Sequence, residues 1–268
     1  MTELGELLSM ALSLDAETEK KCPFCGNPPH GFGTDKKKKQ SDVVKSIPKN
    51  LGCDSIEGGT GKPPLRYTTA AHHLICAKQC YAMVKVLVRM GSLVGYDINS
   101  KPNGMPLPTV RNKYYRKNFG DLSDEADPDS AGLSQQDIIA FQIMEELGAQ
   151  WHVGHHSFEI KIVEYDVDEG GEDSEYLHTT SYDCEVLERL LDIAVLCQNI
   201  DLCKDDSEKE SFKQKMDALS EEIASYLKKF AKGSSPMDSK PYFVSDRAYK
   251  YASNVEDGTW KKWKRSRR

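Results

Sequence analysis

Apolar positions recur along this chain with two different periods, and the change of period marks its elements. Leu4, Leu7, Leu8, Ala11 and Leu12 fall at helical spacing, which predicts a short amphipathic helix over 3–14. Residues 65–76 read Leu-Arg-Tyr-Thr-Thr-Ala-Ala-His-His-Leu-Ile-Cys, a β-prone run behind the Pro63-Pro64 breaker, and predict a strand. A helix is expected over 77–90, with Tyr81, Val84, Leu87 and Val88 facing inward and Gly91 closing it. Ser134 and Asp137 form a capping pattern for a helix through Leu147, stopped by Gly148. Val186, Leu187, Leu190, Leu191, Ala194 and Val195 make one stripe; Phe212, Met216, Leu219, Ile223, Leu227 and Phe230 make another, opened by Ser207 and Glu210. Both stripes read as packing surfaces. Over 152–168 the signal is divided: Phe158, Ile160 and Ile162 alternate like a strand, while His152 and His156 stand one helical turn apart.

Two polar stretches punctuate this pattern. Gly58-Gly59-Thr60-Gly61-Lys62 is not a phosphate-binding loop, because Ile56 stands where a glycine is needed and Pro63 follows the lysine; it reads as a flexible linker. Residues 121–130 are acidic and expected to be disordered.

At 268 residues the chain is long enough for one large or two small domains. No apolar run approaches the roughly eighteen residues of a membrane span. The N-terminus lacks a basic segment followed by an apolar one, so the expectation is a cytoplasmic product as synthesised, with no signal peptide. Charge is uneven. Residues 1–120 carry 18 Lys and Arg against 10 Asp and Glu, and the remainder 18 against 32, so a basic half (+8) precedes an acidic one (−14). A basic surface is what a phosphate-bearing partner requires. The eight cysteines, with no signal peptide, favour thiols or metal ligands over a disulfide framework.

Histidine changes the picture most. Of seven copies, five fall into two clusters: His72 and His73, and His152, His155 and His156. Imidazole both ligates divalent metals and moves protons near neutral pH, so the clusters point to one site assembled in space, the plainer reading being hydrogen-bonded core histidines. On a regular strand His72 and His73 face opposite ways, so joint service to one phosphate requires the strand to end or bulge there. Cys22-Pro-Phe-Cys25 followed by Gly26 resembles half of a zinc site. Cys76 and Cys80 are the first choice for its other two ligands, with Cys53 or His30 as substitutes, and burial as small hydrophobes as the alternative. Arg111, Lys113, Arg116 and Lys117 interleave with Tyr114 and Tyr115, a composition suited to nucleic acid, and residues 260–268 hold six cations beside two tryptophans.

Ala71-His72-His73-Leu74-Ile75, Tyr96-Asp97-Ile98-Asn99, Asn103-Gly104-Met105-Pro106-Leu107-Pro108 and His152-Val153-Gly154-His155-His156 follow one another in that order. The series resembles the AHH group of the HNH/endonuclease VII nuclease superfamily, common among bacterial polymorphic and secreted toxins, and the likeness covers roughly residues 65–160. About fifty residues separate Asn103 from His152, a longer interval than the family has, which implies an inserted helical segment over about 109–150. The resemblance implies an α+β fold, mostly helical, with a small ββα-metal core whose helix is the 152–168 element. With the helices read from periodicity, the chain is expected to divide into an N-terminal helix over 1–20, a nuclease domain over 21–168 and a helical C-terminal region with a basic tail over 169–268. The resemblance further implies a metal-dependent endonuclease acting on DNA, with RNA the other polymer, and an antibacterial toxin delivered by a specialised secretion system and met by an immunity protein. His73 would be the general base and Asn103 would fix the loop that orients it. His72, His152 and His156 would hold magnesium or manganese, with His155 as the alternative ligand, and a structural zinc is expected beside it. The competing reading is a zinc-stabilised interaction or nucleic-acid-binding protein without catalysis.

Overall fold

The computed structural model describes residues 51, 57–60, 65–110, 119–152, 156, 158–167, 173–197, 202, 206–231 and 233–267. The fold is mixed and mostly helical with two small sheets. The N-terminal helix, Cys22, Cys25, Cys53, His30, His155 and the basic-aromatic run with Arg111, Lys113, Arg116 and Lys117 lie outside the described residues. Among the described residues no helix is long and apolar enough to cross a membrane.

The chain divides into two compact units that alternate along the sequence. The first gathers Leu51, Thr69–Leu107 and Val186–Ser225; the second gathers Glu57–Thr68, Pro108–Glu185 and Tyr226–Arg268. A boundary at 168/169 therefore falls inside the second unit.

One sheet has the order β1 (Glu57–Thr60), β2 (Leu65–His73), β3 (Gly104–Thr109). The glycine-rich segment expected as a linker is instead β1, antiparallel to β2 with Gly58 opposite Tyr67 and Gly59 opposite Arg66. Ladder bonds are made by backbone, so glycines can still pair where a neighbouring strand presents its own backbone groups. Pro106 and Pro108 are tolerated in β3 because it is an edge strand, with one row of backbone groups outside the ladder. Its start is tight: a Cβ on Gly104 would lie 2.3 Å from the Leu51 carbonyl oxygen, so only glycine fits.

In the first unit, residues 77–84 form turns and a short 3-10 segment, and α1 runs from Lys85 to Val94. The helix expected over 77–90 is thus shifted along the chain. Gly91 is interior, where a Cβ would meet the Tyr81 hydroxyl at 2.1 Å, and Gly95, at φ 71°, ends the helix instead. Tyr81 donates to the Leu87 carbonyl at 3.0 Å, which fixes that close approach. Helices α3 (Tyr182–Leu196) and α4 (Asp206–Leu227) bury the two expected stripes, Val186, Leu190, Leu191 and Ala194 on one and Phe212, Met216, Leu219 and Ile223 on the other.

The second unit is built around α2 (Gln135–Leu147), which has the expected reciprocal capping box of Ser134 with Asp137 and left-handed Gly148 at its end. Residues 121–130 are not disordered: Asp127 caps a 3-10 turn and Asp124 pairs with Arg247. A hairpin of β4 (Ile160–Val167) and β5 (Asp173–Thr180) follows, so the alternation of Phe158, Ile160 and Ile162 was the better guide to this region. Helices α5 (Asp246–Glu256) and α6 (Thr259–Ser266) complete the unit, with Phe141, Trp151, Phe243, Tyr251 and Trp260 in one apolar cluster. The basic tail is therefore a docked helix, and Trp260, 2% exposed, is core.

Asp137 ties α2 to α5 through Lys250 and through Arg247 Nε at 3.4 Å. Burial alone would raise its carboxyl pKa, but hydrogen bonds from Lys250 and Ser134 outweigh that and hold it below the usual range. A group depressed in the folded state contributes stability above its unfolded pKa of about 4 and loses it as pH falls through the folded value. Asp137→Asn is expected to cost about 2 kcal/mol at pH 7, with Lys250 partly in solvent limiting the loss. Urea melts should show the difference shrinking on acidification below pH 4.

Candidate functional site

Strand β2 ends at His73, and the chain bends through Leu74 and Ile75. The two histidines thus lie where the ladder stops, in different surroundings: His72 is 1% exposed and His73 half-buried. The bend is held by Asn103, which is fully buried at the end of a 3-10 turn. Its side-chain oxygen accepts from Ile75 N–H at 2.7 Å and from the Ser220 hydroxyl at 3.1 Å. Its amide donates to the carbonyls of Ile75 at 3.2 Å and Ile98 at 2.8 Å, and its own carbonyl accepts from Leu74 N–H at 3.0 Å. The side chain behaves as a surrogate peptide group, pairing with Ile75 where strand pairing has ended.

The partner of the His73 ring is Asn99, whose Oδ1 lies 2.9 Å from Nε2. A carboxamide oxygen only accepts, so this bond selects the tautomer with hydrogen on Nε2 and leaves the lone pair on Nδ1. Asn99 is held in turn, its N–H donating to Asp97 Oδ1 at 2.9 Å, and Asn103 binds the neighbouring Ile98 carbonyl. Asn103 thus acts on His73 one step back, through the 97–99 turn. The Tyr96-Asp97-Ile98-Asn99 motif contained this contact, but sequence alone gave Asn99 no role.

In the second unit the histidines sit on irregular chain, and the described residues between Trp151 and Glu159 include no helix; the helix expected for 152–168 is replaced by the approach to β4. The approach is anchored on both sides. His152 N–H donates to the Pro108 carbonyl at 2.8 Å, and buried Gln150 bonds the Tyr242 carbonyl and Val244 N–H, each at 2.9 Å. His152 Nε2 and His156 Nε2 face each other at 3.1 Å. The other nitrogen of His156, Nδ1, lies 3.7 Å from Asp183 Oδ1, and Tyr182 packs on the ring, so the helix that reaches this pair is the start of α3. Burial, with His156 beside it, pushes the His152 pKa down to about 4, so this ring is neutral at physiological pH.

These features fit a metal ion. Two imidazole nitrogens bound at about 2.1 Å to one ion lie about 3.0–3.4 Å apart, depending on the coordination angle, and the observed pair falls within that interval. A carboxylate on the far nitrogen is the arrangement that turns a histidine's lone pair toward a metal. Asp183 was not foreseen, since one acid ahead of an apolar stripe gives no signal in sequence. The described side chains able to hold a metal are His72 and Cys76 in the first unit and His152, His156 and Asp183 in the second. The paired imidazoles of His152 and His156 suit a transition metal better than magnesium.

Cys76 and Cys80, the expected partners of Cys22 and Cys25, are both buried and in no disulfide. They stand on one turn, Cys80 N–H donating to the Cys76 carbonyl at 3.2 Å. No family model, curated protein or solved structure matches this chain.

Two outcomes follow. Asn103→Ala leaves the Ile75, Ile98 and Ser220 groups without their buried partner and should cost roughly 3 kcal/mol in chemical denaturation. The folded His152 ring takes a proton near pH 4 and the unfolded ring near 6.5, so between these values acidification favours unfolding. His152→Gln should flatten that part of the stability–pH profile, measured on metal-free protein.

Proposed function

We propose that this chain is a metal-dependent nuclease, an endonuclease hydrolysing phosphodiester bonds in DNA, in the manner of the AHH group of HNH-type enzymes. The observation that carries the reading is the His73–Asn99 bond. It supplies a half-buried imidazole of fixed tautomer, with its lone pair on Nδ1, beside a turn immobilised by Asn103. In this reading His73 Nδ1 takes the proton of the attacking water, and Asn99 holds the ring through Nε2. His72, His152 and His156 would hold one divalent ion, manganese before magnesium given the donors, with Asp183 steering His156 from its far nitrogen. Bound there, the ion would supply Lewis-acid stabilisation of the departing 3′ oxygen. Family likeness adds a toxin role, with an immunity protein as partner.

A second reading, a zinc-stabilised protein without catalysis, draws on the buried Cys76 thiol, a soft donor of the kind structural zinc uses. Cleavage of plasmid DNA and total RNA, with and without manganese or magnesium, separates the two readings. Metal-dependent cutting supports the nuclease; one tightly held zinc with no cutting supports the alternative.

His73→Ala should lower the cleavage rate by about 10² to 10⁴ while metal affinity, measured calorimetrically, stays near wild type. His152→Ala and His156→Ala should instead weaken metal binding and recover part of their activity as the metal concentration rises. A His73→Ala protein cutting at the wild-type rate ends the assignment.

A further inference from the structure

Helix α6 breaks the local rules of helix stability. Lys261 and Lys262 stand near its N-terminus, where exposed peptide N–H groups favour acids, and its first turn contains none. Lys261 and Arg265 are four residues apart, a repulsive spacing for like charges. The helix is nonetheless fastened in place. Trp260 is buried against Phe141 and stacks on Trp263 at 4.9 Å with only 6° between the rings. Trp260 Nε1 donates to Glu145 at 3.3 Å, Lys264 pairs with the same carboxylate, and Arg267 donates to Ser130 Oγ at 3.2 Å.

Lys264 on the helix and Arg267 just past its end thus serve as fasteners. The helix's other three cations, Lys261, Lys262 and Arg265, are exposed and make no ion pair among the described residues. Asp257, the acid just before the helix, accepts from Thr259 N–H at 2.7 Å and acts on Lys262 only through space. Three like charges on a docked helix, unfavourable to that helix and set within a half of the chain carrying −14, match a polyanion better than they serve stability. A membrane surface is the poorer partner, since an interfacial helix needs an apolar face to insert and Trp260 here is turned into the protein.

We infer that the exposed face of α6, formed by Lys261, Lys262 and Arg265, grips the phosphate backbone of the nucleic acid. Only the identity of the polyanion rests on the nuclease reading. Contacts made to phosphate oxygens in this way are independent of sequence and sensitive to salt.

The test uses the full chain with His73→Ala to prevent cutting, and a labelled DNA duplex or single-stranded RNA titrated across a potassium chloride series. Deleting the tail is unsuitable, because it removes Trp260 from the core. Lys261→Gln/Lys262→Gln/Arg265→Gln should reduce the slope of log Kd against log salt by about 2 to 3 on duplex DNA, each lost contact contributing about 0.9. Arg265→Gln alone should reduce it by about 1, and neither variant should lower Tm. An unchanged slope in both variants, with nucleic acid still bound, overturns the inference and leaves the nuclease reading standing. Absence of affinity for either polymer overturns both. Binding to phosphatidylserine vesicles in place of nucleic acid would reassign the face to a membrane.

Discussion

A single buried amide holds the first unit's candidate chemistry in place. A strand that stops must satisfy its last backbone groups elsewhere, because an unpaired buried N–H or C=O costs about 1–3 kcal/mol. Beyond His73, Asn103 meets that demand: it pairs with both polar groups of Ile75, reaches the Ile98 carbonyl and accepts from Ser220 on α4. No other uncharged side chain of that length offers an acceptor and two donors in one plane, except glutamine with a longer stem. Gly104, pressed against Leu51, follows at once, so the residue is fixed from its own backbone as well.

The end of β2 also settles how neighbouring histidines can differ. Within a strand, successive side chains alternate, and His72 goes into the protein while His73 stays half-buried. The two are therefore suited to different tasks. A buried ring exchanges protons poorly with solvent and serves best as a ligand or a packing group. A partly exposed ring with one nitrogen bonded to Asn99 keeps the other available to a reactant. His152 follows the same logic by a different route, since burial keeps it neutral and a neutral ring is the form that coordinates metal.

The elements that depend on short-range chemistry were legible. The Ser134–Asp137 box with Gly148, and the stripes of α3 and α4, could be read from neighbours three and four apart. What failed depended on distant partners. β1 has no side-chain signal of its own and exists because β2 is there to pair with it. Gly91 looked like a stop and is a seat for Tyr81, ten residues earlier in the chain. The acidic stretch before α2 is ordered by Arg247, more than a hundred residues away. At the candidate site the histidines and Asn103 announced themselves by type and clustering, whereas Asn99 and Asp183 acquire meaning only from what lies 2.9 and 3.7 Å from them.

The two tryptophans near the end show why composition misleads about aromatic-basic runs. Stacking on bases and packing in a core draw on the same residues, and sequence does not separate them. Here the core takes Trp260, with Glu145 satisfying its indole N–H. The aromatic side of α6 is thereby used up on attachment, and the cations are left to be sorted by position: Lys264 and Arg267 face back to Glu145 and Ser130, while Lys261, Lys262 and Arg265 stay in solvent. Docking by aromatics and display of cations are complementary consequences of one helical period, because residues 260, 263, 264 and 267 share a face that 261, 262 and 265 do not.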